Sequence, residues 1–191
     1  MTTFRKLQAF LAGNGHFCAL VAFLVVDVVH LVEHGMQALQ IFVLGWERAD
    51  ARGVVGEWIP WLVTSEWMHY LFGLVSLVAI TLLRPAFTSR AATLWTVALI
   101  GQFWHHLEQF FLLFQKLTGE PWFEQSEPTS LIQLLIPRVE LHLFYNAAVA
   151  VPLLIALAYH WWPSVAEREE QSCDCQAKLN TARMGLSRAL T

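Results

Sequence analysis

His30-Leu31-Val32-Glu33-His34 lies in the middle of a long apolar run, and its reading decides how the rest of the chain is read. In a helix it sets an imidazole at i, a carboxylate at i+3 and a second imidazole at i+4, all on one face. Asp27 one turn before and Gln37 one turn after extend that face into a polar stripe. The flanking residues 17–44 are otherwise dominated by Val, Leu, Phe and Ala. Ionisable groups at such depth in an apolar helix are costly, and where they occur they mark a functional site.

The stretch has an echo further along the chain. His30-x-x-Glu33, followed by Gln40 and Gly45, recurs as His105-x-x-Glu108, followed by Gln115 and Gly119, with ten residues from His to Gln in both copies. Met68-His69-Tyr70-Leu71-Phe72-Gly73 answers Leu141-His142-Leu143-Phe144-Tyr145-Asn146. The two histidines of a copy stand 39 residues apart in the first and 37 in the second. The matched positions are the polar ones, and they read as an internal duplication of a two-helix unit.

Composition places this pattern in a membrane. Of 191 residues 56% are apolar and only 14% charged, about half the charged share of an ordinary soluble protein. A net charge of −3 gives no support to a nucleic-acid partner. Three cysteines, Cys18, Cys173 and Cys175, do not make a disulfide framework.

The expected fold is all-α: an integral membrane four-helix bundle built from two duplicated two-helix units. Residues 1–16 form a lead without the short apolar region and small-residue cleavage site of a signal peptide. The transmembrane domain covers 17–162, with helices at about 17–44, 61–83, 91–117 and 131–162, each long enough for the ~20 residues of a crossing. Pro137 restarts or bends the last helix and Pro152 offers a second kink. Residues 163–191 turn polar and charged and are expected to be a loose or partly helical tail. Arg5, Lys6, Arg84, Arg90, Arg168, Lys178, Arg183 and Arg188 fall on one side, against Arg48, Arg52, Lys116 and Arg138 on the other. That imbalance puts both termini in the cytoplasm and relates the two units as parallel repeats.

Depth brings the histidines to one level. His30 lies about fourteen residues from the outer end of its helix, His105 about twelve, His142 about eleven and His69 about eight. At ~1.5 Å per residue these levels agree within about 9 Å. The candidate metal ligands of this layer are His30, Glu33, His34, Glu66, His69, His105, Glu108 and His142. Imidazole and carboxylate together suit iron, copper or zinc, and facing Glu/His pairs at i, i+3 build dinuclear sites in helical bundles. Asp27, Gln37, Gln102 and Asn146 stand where they would orient the imidazoles. Haem is the alternative cofactor, with His30 and His105, or His69 and His142, as axial pairs.

Other polar residues fit less well. His106 is turned about 100° from His105, and Glu140 faces away from His142 in an unbroken helix. His16 and His160 fall at the inner boundary, away from the layer. Cys173-Asp174-Cys175 offers two thiols able to hold Cu(I) or Zn(II), but two sulfurs make an incomplete site. The expected function is a membrane-embedded metal oxidoreductase acting on a small or lipid-soluble substrate. A metal or proton carrier and a non-catalytic assembly subunit are the competing classes, with a membrane-protein partner or a second copy of the chain as the companion in the bilayer. The inner helix halves, with only Ser76, Thr81, Thr93 and Thr96 as polar side chains, give a carrier no ionisable path onward.

Overall fold

In a computed structural model, which describes residues 3–181, the chain is all-helical and its described residues contain no strand. Helix α1 (Thr3–Ala12) leads through the turn Gly13-Asn14-Gly15 into α2 (His16–Phe42). Two short helices follow, α3 (Val55–Trp58) and α4 (Pro60–Thr64), before α5 (Glu66–Leu83). A single 3-10 turn (Arg84–Ala86) joins α5 to α6 (Ser89–Thr118). Another 3-10 turn (Ile132–Leu134) precedes α7 (Arg138–Trp161), and α8 (Val165–Glu170) begins the tail.

The local chemistry explains most boundaries. Gly45 and Gly119 adopt left-handed φ of 71° just beyond α2 and α6, the usual glycine stop. Pro60 starts α4, where its missing N–H costs nothing. The helix expected over 61–83 is therefore two pieces: Ser65 is extended between them, and α5 begins only at Glu66. Pro137 is also extended, so the helix expected over 131–162 starts afresh at Arg138. The N-terminal lead contains a helix of its own, and α8 has a capping box in which Ser164 and Glu167 satisfy each other's backbone N–H. The tail is helical again over residues 175–181. Arg183 and Arg188 lie outside the described residues.

Among the described residues three helices are long and apolar enough to cross a membrane: His16–Phe42, Glu66–Ala86 and Arg138–Trp161. Helix α6 is as long but carries Gln102, His105, Glu108, Gln109 and Gln115 as buried polar residues. It packs on both α5 and α7, while α2 touches those same two helices from the other side. Valines 25, 26, 28, 29 and 32 of α2 are exposed, as suits a helix facing lipid.

Two layers divide the interior. Leu20, Phe23, Ile80, Leu83, Phe87, Trp95, Leu153 and Leu157 form an apolar core around the start of α2, the end of α5, the start of α6 and the end of α7. Trp95 is fully buried, and its indole N–H donates to the Ile80 carbonyl at 2.8 Å, so the large ring leaves no polar atom unsatisfied. Beyond it, towards the other ends of the same helices, lie the imidazoles.

Candidate metal centre

Helical spacing delivers His30 and His34 from α2, His69 from α5, His105 from α6 and His142 from α7 to one place. His142 is the hub, with ring centroids 5.7 Å from His34, 5.4 Å from His69 and 5.4 Å from His105. His30 joins at the edge, 4.5 Å from His34 and stacked on Phe72 at 3.8 Å. Four helices thus contribute five imidazoles to a connected group.

Their tautomers follow from their partners. A carbonyl oxygen only accepts, so a ring nitrogen facing one must carry the proton. His69 Nδ1–H donates to the Ser65 carbonyl at 3.0 Å, and His142 Nδ1–H to the Arg138 carbonyl at 2.9 Å. His34 Nδ1–H donates to Gln37 Oε1 at 2.8 Å, the orienting role expected of that glutamine. In all three rings Nε2 is left as the lone-pair nitrogen, the arrangement that metal-binding histidines use. His105 Nδ1 is buried without a partner. His142 Nε2 accepts from Gln109 Nε2 at 2.9 Å, so one of the lone pairs is already engaged. Gln109 reaches this position because it follows His105 by one turn on the same face.

The carboxylates go elsewhere. Glu33 accepts three backbone N–H bonds, from Val54 (3.0 Å), Val55 (3.0 Å) and Gly56 (2.8 Å), and so ties the loop after α2 to the helix. Glu66 forms a two-pronged ion pair with Arg138, at 2.6 and 2.7 Å. Glu108 is buried beside Tyr145 and Ser130, with one oxygen unpartnered. Glu140 pairs with Arg48 across the chain. The structure therefore gathers the five imidazoles and leaves Glu33 and Glu66 with partners outside them. Gln102 donates to the Gly73 carbonyl at 3.1 Å rather than to a histidine. His106 packs over Gly73 and against Tyr70, its Nδ1 buried without a partner.

Two cavities meet at this group. One of about 330 Å³ is lined by Val25, Val29, Val63 and Phe72, together with His30, His34 and His69. The other, of about 450 Å³, is polar; Arg48, Arg52, Glu127 and Arg138 line it with His34, His69 and His142. His34 and His69 border both. In the imidazole group no three ligand atoms lie within 4.8 Å of one another. Among the described residues that convergence occurs only at the far end of the helices, between His16, His160 and Cys175. No protein-family model, curated protein or solved structure matches the chain.

Proposed function

We propose that this is a membrane-embedded, metal-dependent oxidoreductase whose transition metal is held by His34, His69, His105 and His142, with His30 at the margin. The reading rests on one observation: His34 and His69 stand between an apolar cavity and a polar one. A small lipid-soluble substrate is suited to the valine-lined side, and water and protons to the arginine-lined side. The ligand set on offer is mainly imidazole, because Glu33 and Glu66 are bound to other partners; such a set suits copper, iron or zinc. Glu108, with its unpartnered oxygen, is the carboxylate nearest to joining it. Two ions, as in a dinuclear centre, fit five spread imidazoles better than one. Three rings crowded around His142 favour an ion over a haem, which needs a flat slot between its axial ligands.

A bound ion would supply Lewis-acid or redox chemistry. The chain's own groups do the positioning. Ser65, Gln37 and Arg138 hold the Nδ1 protons and so keep the Nε2 lone pairs of His69, His34 and His142 available. Val25, Val29 and Phe72 exclude water from the substrate side. Binding also requires Gln109 to leave His142 and the rings to rotate towards a common point.

In this reading α2, α5, α6 and α7 are four crossings of a bundle, in two duplicated units, with both termini cytoplasmic. Single cysteines at positions 50 and 124, in a background lacking the native thiols, should label from outside the cell, and one at position 88 should not. The reverse pattern would invert the topology.

A second reading has its own support. The pairs Glu66–Arg138, Gln109–His142 and Glu33 with its three amides are the kind that fixes helix register without any metal. Elemental analysis and an absorption spectrum of the protein purified in mild detergent separate the two. The metal reading expects the wild type to carry one or two transition-metal ions per chain that His105→Ala loses. A metal-free, colourless and folded wild type from metal-replete cells would leave the register-fixing subunit as the better account.

A further inference from the structure

At the opposite end of the helices three distant segments meet. His16 opens α2, His160 closes α7, and the tail returns so that Cys173 and Cys175 both face His160, with Cys175 close to His16 as well. Asp174, between the thiols, accepts from the Phe17 N–H at 3.0 Å and pairs with Lys178 at 2.6 Å, while its own N–H donates to the Gly13 carbonyl. Gln171 and Gln176 both donate to the His160 carbonyl, at 2.9 and 3.2 Å. The tail, expected to be loose or partly helical, is thus docked over residues 171–178, and the pair of thiols expected to be incomplete has His160 beside it and His16 close to Cys175.

The geometry is that of a ligand set. His160 Nε2 stands 3.3 Å from Cys175 Sγ and 3.4 Å from Cys173 Sγ. In a tetrahedral zinc site with Zn–S of about 2.3 Å and Zn–N of about 2.0–2.1 Å, neighbouring N and S ligands are separated by roughly 3.5 Å. His16 supplies an independent sign. Its Nδ1–H donates to the Leu11 carbonyl at 2.8 Å, which leaves Nε2 with the lone pair; that atom is fully buried and has no hydrogen-bond partner. A ring nitrogen of His16 lies within 4.8 Å of the ligand atoms of His160 and Cys175, while Cys173 stands outside that group of three.

We infer that His16, His160 and Cys175 hold a Zn(II) ion and that Cys173, already in contact with His160, turns in to close a tetrahedral site that clamps the tail to the ends of α2 and α7. Two imidazoles and two thiolates leave no open position, so the ion is structural. The inference is independent of the proposed outer metal centre, which contains no sulfur ligand.

The test uses the full chain in detergent, thiols kept reduced, with Co(II) as the probe and Zn(II) as competitor. Cobalt should give an intense near-ultraviolet sulfur-to-metal charge-transfer band and strong tetrahedral visible bands, both abolished by about one equivalent of zinc. Cys173→Ser/Cys175→Ser should lose the charge-transfer band and about one zinc per chain, while keeping any metal of the outer layer. His16→Ala should keep sulfur ligation but bind zinc at least tenfold more weakly. Chelation of the wild type should speed proteolysis within residues 163–181. Absence of the charge-transfer band from folded, reduced wild type would overturn the site, as would unchanged zinc content in the double variant. The cobalt experiment needs no variant, so a misfolded mutant cannot obscure the result.

Discussion

The two ends of the helical core hold polar groups in opposite ways. At the imidazole layer the residues come from the middle of α2 and α6 and the opening turns of α5 and α7, and matched His-x-x-Glu spacings draw attention to them in the sequence. Yet their ligand atoms stay spread, and two glutamates drawn from the same motifs are bound to an arginine and to backbone amides. At the His/Cys end nothing repeats and the residues are separated by up to 159 positions, from His16 to Cys175, yet their atoms converge within 4.8 Å. A conspicuous motif therefore reports depth and cost, whereas convergence is decided by which neighbours compete for each side chain. Glutamate is the residue most open to that competition, because two acceptor oxygens can satisfy several donors at once.

Breaking the Glu66–Arg138 pair should have the largest effect on the layer. Arg138→Ala leaves a carboxylate that is 9% exposed without its partner, whereas the arginine is 38% exposed. The loss should be about 2–3 kcal/mol, below the figure for a fully buried pair, and visible as a lower apparent Tm. Glu66→Gln/Arg138→Ala should recover much of it. If the double variant instead loses bound metal while remaining stable, Glu66 belongs to the metal site and the contrast drawn above fails.

Glu33→Ala probes the same contrast at the loop. Three amides, of Val54, Val55 and Gly56, lose their acceptor, at about 2 kcal/mol. Hydrogen exchange at those amides should accelerate while metal content stays unchanged; loss of metal with protected amides would make Glu33 a ligand. Gly53→Ala should act in the same place and cost about 1–2 kcal/mol. Its φ of 77° is left-handed, and an added Cβ would collide with the Glu33 carboxylate.

How much of this was legible in the sequence varies with the range of the interaction. Helicity, the long apolar segments and the common level of the histidines depend on periodicity and length, which are local, and residues 30, 69, 105 and 142 do come together. The break at Ser65 was less visible, because Trp61 to Leu83 is mostly apolar and only Pro60 and the short polar run Thr64-Ser65-Glu66 hint at a restart. Glu33's destination depends on the path of a loop some twenty residues further on, which no periodicity encodes. Gln109 was equally hidden: its spacing puts it beside His105, but its bond is to His142 on another helix. For the inner cluster the available signal was Cys173-x-Cys175 in a chain with two further histidines at helix ends on the same side. Read singly, the two histidines looked like interfacial groups and the two thiols like an incomplete metal site in the tail.

The smallest effect should separate the ends by pH. Glu167 is held at about 2 by its two-pronged bond to Arg90, reinforced by the Ser164 cap. A carboxyl depressed in the fold stabilises it above the ordinary carboxylate range and loses that contribution as pH falls towards 2. Protease access to α8 should therefore rise between about pH 4.5 and 2 in the wild type, and Glu167→Gln should show the raised access already at neutral pH. A flat wild-type profile would mean that the Arg90 pair does not hold α8.

X-ray absorption at the edge of whatever transition metal accompanies Cys173→Ser/Cys175→Ser tests the central claim most directly, since that variant removes every sulfur ligand of the inner site. The account expects a metal still bound, surrounded by nitrogen and oxygen at about 2.0–2.2 Å with several imidazoles, and lost when His69→Ala is added. A folded cysteine variant that carries no metal would contradict it and leave the five imidazoles as a packing layer.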